Sequence, residues 1–286
     1  YNIGAFDAAT ASDVLSGSGL SSSAAFEVLL GTILNHLFND GKVSDVEIAQ
    51  IAQAAENKFF GKPCGLLDQM TSSVGSFVEI DFADPANPVI EKLDFDFASC
   101  GYAFCIVDTG GSHSDLTDEY AAVRKEMESV AEYLGKSVLR EVDEDEFMKN
   151  IADIRSSCGD RAVLRAMHFY GDNARVEKHA AALKAGDFET FKKYIIESGR
   201  SSYMYNQNVY SCKKASEQPV SLALSLSEKL LDGCGAWRVH GGGFAGTIQA
   251  FVPLNKLDEY KDLMERVFGS GSCYVLSVRP VGGVEL

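Results

Sequence analysis

The sequence predicts an α+β protein in two lobes, and three observations carry that prediction. At 286 residues with 46% hydrophobic content, the chain can build one large core or two smaller ones. From residue 102 onward the apolar pattern runs strand, helices, two strands, helix, strand, which is the order of a split βαβ sheet with inserted helices. Ahead of it, two spaced glycines and three serines lead straight into an apolar helix.

The first expected elements are strands, Tyr1 to Phe6 and Ala9 to Leu15. A chain that opens inside a strand, without Met, reads as the rear part of a longer protein. Next comes Leu15-Ser-Gly-Ser-Gly-Leu-Ser-Ser-Ser-Ala-Ala25, ahead of helix Phe26 to Phe38. Gly17 and Gly19 let the backbone turn where a Cβ would clash. Ser21 to Ser23 can cap the helix, and its first amides lack intrahelical partners. Free N–H groups and the positive end of the helix dipole favour a bound phosphate. An ordinary Ser-capped helix after a Gly-rich turn has the same local pattern.

A second helix starts with a capping box, Ser44 with Glu47, and carries apolar residues at Val46, Ile48, Ile51, Ala52 and Ala55. It stops near Phe60 and Gly61, and Pro63 prevents its continuation. Cys64-Gly-Leu-Leu-Asp68-Gln-Met70, a strand Ser76 to Phe82 and the turn cluster Asp84 to Pro88 complete the first lobe. The lobe boundary falls near Ser99, giving lobes 1–98 and 99–286. The second opens with an apolar strand, Tyr102 to Val107, which breaks at Asp108-Thr-Gly-Gly111. Helices are expected at Thr117 to Leu134, Asp160 to Ala185, Asp187 to Ser198 and Val220 to Leu231. Strands Ala236 to His240 and Thr247 to Val252, helix Lys256 to Phe268 and strand Cys273 to Arg279 follow, completing a ferredoxin-like sheet.

Composition excludes several function classes. The formal net charge is −15, with acidic residues spread along the chain, which argues against nonspecific binding to nucleic acid or an anionic membrane. A phosphate ligand must then be held locally, by backbone amides and a metal. Seven cysteines lie far apart without metal spacing, which reads as reduced thiols in the cytoplasm. No apolar run reaches the ~20 residues of a membrane span.

Gly241-Gly-Gly-Phe-Ala-Gly246 matches a dinucleotide fingerprint in spacing, but that motif must open a helix. Thr247 to Val252 reads as a strand, so the segment is expected to be a Gly-rich hairpin. None of the five histidines has a metal-type partner at helical spacing. Asp68 sits in an apolar segment between a helix end and a strand, where a carboxylate can face a cleft or cap a turn. Phosphoryl transfer to a hydroxyl uses such a carboxylate to accept the proton. Glu56 lies on the second helix, where the ordinary role is a solvated face. Magnesium, however, needs only one or two protein oxygens besides substrate phosphates.

Together these pieces resemble the GHMP small-molecule kinases and, within them, the galactokinase family. Gly17-Ser-Gly-Leu-Ser-Ser-Ser-Ala-Ala25 is similar to the family's phosphate motif, and Gly65-Leu-Leu-Asp68-Gln69 to its base segment. Asp118-Glu-Tyr120 with Arg124 resembles the helix start that carries a sugar-contacting tyrosine. Asp172-Asn-Ala-Arg-Val176 resembles a stretch typical of galactokinases, and Gly241 to Gly246 the third, Gly-rich motif.

The resemblance implies a fold of two α+β lobes, the first incomplete here. It implies ATP-dependent phosphorylation of the anomeric hydroxyl of galactose or a related monosaccharide. ATP phosphates would lie on Gly17, Ser18, Gly19, Leu20, Ser21, Ser22 and Ser23, and Mg²⁺ on Ser23 (or Ser22) with Glu56. Asp68 would be the base and a sugar contact, Tyr120 and Gly65 would touch the sugar, and Gly241, Gly242 and Gly243 would line the site. Neither nucleic acid nor membrane is an expected partner.

Three departures bear on these expectations. Leu15 replaces the usual Pro, and Ser112 stands at a basic position in Asp108 to His113, which bears on sugar specificity. The family's first motif, Gly-Glu-His-Thr-Asp-Tyr, does not occur, so this chain alone is expected to be inactive. The alternatives are a GHMP kinase for another sugar, such as N-acetylgalactosamine, and a non-catalytic galactose sensor. Such sensors lack a Ser-Ala pair, which Ser23 and Ala24 supply here.

Overall fold

The computed structural model describes residues 1–14, 20–61, 64–93, 95–111, 116–244 and 246–286. Contacts divide the chain into unit 1, Tyr1–Asp96 with Ser277–Leu286, and unit 2, Phe97–Leu276. The sequence-based division at 98/99 differs mainly in the last residues, which it assigned to the second lobe. They stay with unit 1 because Ser76 N donates to Arg279 O at 2.7 Å and His36 Nδ1 lies 3.3 Å from the Glu285 carboxylate.

Unit 1 is mainly helical. Helix α1 is Ser22–Asn39 and α2 is Asp45–Ala54. The capping box forms as expected, with Ser44 accepting from Glu47 N while Ser44 N donates to the Glu47 side chain. A single π-helical turn, Ala55–Phe60, extends α2, and α3 follows at Leu67–Val74. Val28 packs on Ile48 and Ala52, and Ala49 on Leu66 and Met70. Strand β1, Phe77–Asp81, pairs antiparallel with β2, Val89–Leu93.

The expected strands at the start of the chain do not form. Residues 1–14 carry no regular secondary structure and are exposed. A strand is stabilised by a ladder to a neighbour, and among the described residues no strand pairs with them. Tyr1 and Asn2 instead bond to side chains of the helical layer, Tyr1 OH to Glu47 at 2.7 Å and Asn2 N to Asn39 at 2.9 Å.

Unit 2 begins with β3, Tyr102–Asp108, followed by α4, Thr117–Tyr133. Two short helices that the sequence pattern did not reveal come next, α5 at Glu144–Lys149 and α6 at Ile151–Cys158. Helices α7, Asp160–Lys184, α8, Phe188–Ser201, and α9, Pro219–Leu231, lead to β4, Ala236–Val239, and β5, Thr247–Pro253. Helix α10, Leu257–Phe268, and β6, Cys273–Leu276, end the unit.

The sheet order is β4-β5-β3-β6, all antiparallel, which is the split βαβ plan read from the sequence. Successive side chains alternate between its faces. Cys105, Val107, Ile248, Ala250 and Val252 join Tyr260 and Met264 of α10 in one core. On the other face Phe104 and Phe251 stack at 5.1 Å, and Phe191 of α8 meets Phe251 at 5.3 Å.

Candidate functional site

In unit 1, five side chains, from the start of α1, the π turn and α3, come together in hydrogen-bonded contacts. Ser21 precedes that helix in a left-handed conformation, φ 56°, and makes no side-chain cap. Its Oγ instead donates to Asp68 Oδ2 at 2.5 Å, across to the first turn of α3. Two residues on, Ser23 Oγ donates to Glu56 Oε1 at 3.2 Å. Glu56 belongs to the π turn and is only 2% exposed, so the solvated-face role does not apply. Its other oxygen, Oε2, accepts from Gln69 Nε2 at 2.9 Å. Asp68 and Gly65, by contrast, are exposed, and so is Ser23.

The same amide of Gln69 lies 3.4 Å from Glu27 Oε2 and 3.4 Å from Cys64 Sγ. Burial pushes the Cys64 thiol up to about 11, with the Glu56 carboxylate adding to the effect. A thiol held protonated here is no nucleophile. Of the expected phosphate residues, Leu20, Ser21, Ser22 and Ser23 are described, while Gly17, Ser18 and Gly19, like Leu15 ahead of them, lie outside the described residues.

Ser23 and Glu56 present hard oxygen donors, the ligand type that magnesium takes. Among the described residues no group of three His, Cys, Asp or Glu forms a ready-made metal site. The residues therefore fit a cation completed by substrate phosphates better than an all-protein cage.

Unit 2 holds the other expected residues. Tyr120, in the first turn of α4, donates from its OH to Gly243 O at 2.6 Å, and burial pushes its phenol up to about 12. Its ring meets Phe244 edge-on at 5.4 Å. Gly241 to Gly246 connect β4 to β5 with Val239 opposite Ile248, so the segment is the expected hairpin and not a helix opening; Ala245 lies outside the described residues. At Gly243, φ is 78° and a Cβ would stand 1.9 Å from Asn208 O. Asn208 closes the turn from the side, its Nδ2 donating to Gly242 O at 3.1 Å.

Asp172 and Arg175 lie on α7, where Asp172 accepts from Ser198 Oγ at 2.7 Å and Arg175 Nε at 2.9 Å. Burial raises the Asp172 carboxyl, yet Arg238, Ser198 and the neighbouring His168 and Arg175 outweigh it and hold it below the usual range. This stretch ties α7 to α8. Ser112 and His113 lie outside the described residues.

Glu27, Gln69 and Asn208 had no role in the sequence reading. Glu27 sits four residues after Ser23, so helical spacing alone places both on one face.

The GHMP kinases N terminal domain matches residues 1–76. The galactokinase of Actinobacillus pleuropneumoniae is 31% identical over 258 residues, 90% of this chain and 64% of its own. Human galactokinase is 32% identical over 95% of this chain and 66% of its own. That of Thermotoga petrophila is 31% identical over 94% of this chain and 71% of its own. The chain belongs to the galactokinase family. It spans about two thirds of the length of these galactokinases. The structure of Lactococcus lactis galactokinase complexed with galactose matches 95% of the chain with a TM-score of 0.73 at 23% identity, covering 68% of that protein. L. major mevalonate kinase, in complex with R-mevalonate, matches 92% at a TM-score of 0.56 and 14% identity, with 66% of its own chain covered. Both likenesses are of fold, and they place this chain in the two-lobed GHMP kinase fold. Among the described residues, no helix is long and apolar enough to cross a membrane.

Proposed function

We propose that this chain carries the phosphoryl-transfer residues of an ATP-dependent sugar kinase that phosphorylates the anomeric hydroxyl of galactose. One observation carries the reading: Ser21 and Ser23, at the start of α1, reach Asp68 and Glu56 respectively, so two separate hydrogen bonds tie the helix start to the base and to the buried carboxylate. Segment 17–23 binds the ATP phosphates through helix-start amides. Asp68, exposed beside that set, accepts the proton of the attacking hydroxyl. Ser23 and Glu56 hold Mg²⁺, which supplies positive charge against the phosphoryl oxygens. Gly65 next to Asp68, and Tyr120 with the Gly241 to Gly243 turn, contribute to the sugar side.

In a protein that joins these 286 residues to the family's first motif, Asp68→Asn keeps ATP binding and loses at least about 100-fold in kcat, measured by ADP release. Near-normal turnover overturns the role of Asp68. The 286-residue chain by itself is expected to show no turnover. A second sugar remains in play on one observation, Ser112 at a basic position of the family pattern. Higher kcat/KM for N-acetylgalactosamine than for galactose replaces the substrate and leaves the chemistry.

A further inference from the structure

The amide of Gln69 stands at the centre of the polar set in unit 1. Its Nε2 donates to Glu56 Oε2 at 2.9 Å and reaches Glu27 Oε2 at 3.4 Å. These partners come from separate elements, Glu27 from α1 and Glu56 from the π turn after α2, and Gln69 itself is on α3. Glu27 lies one helical turn beyond Ser23, whose hydroxyl bonds the remaining oxygen of Glu56. Two carboxylates are thereby gathered on a single neutral donor, and one of them, Glu56, also accepts the Ser23 hydroxyl.

Two further observations separate this from ordinary packing. Gln69 is 1% exposed, and among the described residues its carbonyl Oε1 makes no hydrogen bond. Burying an unpaired amide oxygen costs free energy that an apolar side chain of similar size avoids. What the amide supplies and the apolar side chain lacks is an uncharged N–H that holds two carboxylates near each other. The acidic character is also geometric: both carboxylates reach the same amide nitrogen, Glu56 at 2.9 Å and Glu27 at 3.4 Å. Two carboxylates held close repel each other, and a divalent cation reverses the sign of that interaction.

We propose that Gln69 is a positioning residue for the divalent cation, clamping Glu56 and Glu27 so that Glu27 joins Ser23 and Glu56 as an oxygen donor. The inference rests on the kinase reading above and adds two residues to it. Groups that orient metal ligands commonly alter metal affinity by about 10- to 100-fold when removed.

Calorimetric titration of the 286-residue chain with ATP, once with excess Mg²⁺ and once in EDTA, gives the factor by which Mg²⁺ tightens ATP. Gln69→Leu and Glu27→Gln each lower that factor about tenfold and leave the affinity in EDTA unchanged. Glu56→Gln removes the factor altogether. If Gln69→Leu leaves the factor intact while Glu56→Gln abolishes it, this inference fails and the kinase reading stands. Equal weakening with and without Mg²⁺ assigns Gln69 to structure alone and also overturns the inference. An unaltered factor in Glu56→Gln, or no ATP binding by the unsubstituted chain, overturns the metal assignment and this inference together. Should Gln69→Leu melt early, Gln69→Met keeps the length, removes the donor without adding charge and serves the same comparison.

Discussion

The two units hold their expected site residues by different physical means. In unit 2 the backbone does it: Gly243 stands where any Cβ would collide with Asn208 O, and Tyr120 is anchored on the Gly243 carbonyl. The turn is fastened to a sheet whose central residues, Ile106, Val107 and Ile248, are fully buried. In unit 1 the side chains do it, through Ser21 to Asp68, Ser23 to Glu56 and Gln69 to both glutamates. The lesson is that steric exclusion fixes a turn in one geometry, whereas side-chain hydrogen bonds, the exposed Ser21–Asp68 bond foremost, can exchange partners when a ligand arrives.

The contrast breaks most sharply at Gly243. Gly243→Val forces the turn to rebuild, since it adds a side chain at positive φ against a backbone oxygen. The expected loss is about 3 kcal/mol or more in urea unfolding. Trp237 on β4, the sole tryptophan of the sequence, provides the fluorescence signal. A loss below about 1 kcal/mol would mean that the turn is as adaptable as the hydrogen-bonded set.

A smaller effect is expected at Asp172. Its folded carboxyl lies below the ordinary value, so its contribution is present above the unfolded value near 4 and disappears as pH falls through the folded one. Asp172→Asn therefore destabilises the protein at pH 7, and the gap from the parent narrows with acidification below about pH 4. A gap independent of pH would remove charge from the account.

The smallest effect belongs to Ser21. Its bond to Asp68 is exposed, so Ser21→Ala shifts the unfolding free energy by less than about 1 kcal/mol. A loss as large as that of Gly243→Val would show that unit 1 also depends on this contact for its fold.

Much of the fold is legible from pattern alone. Ser44 with Glu47 announces α2, and the β-branched and apolar run from Thr247 marks the hairpin against a dinucleotide reading. Short elements are harder. In α5 and α6 only Phe147 and Ile154 are buried, too few for a period to emerge among charges. Strand β2 exposes most of its residues and is recognisable only by its pairing to β1. Tyr1 to Phe6 fail in the opposite sense, since strand-like composition cannot supply a partner. At the site, Asp68 stands out through the Gly65-Leu-Leu-Asp68-Gln69 motif, while Glu56 enters only through the family resemblance. Glu27 does neither, because a helical glutamate acquires meaning only from Gln69, 42 residues away.

Unit 1 is discontinuous: Ser277–Leu286 belong to it, and all of Phe97–Leu276 intervenes. On the ribosome, where domains fold as the chain emerges, unit 2 is fully synthesised while unit 1 still waits for its last segment. The unit that carries Asp68 and Glu56 therefore gains Ser277–Leu286 only after all of unit 2 has been made, and a nascent chain halted before residue 277 holds the whole of Phe97–Leu276 while unit 1 lacks that segment.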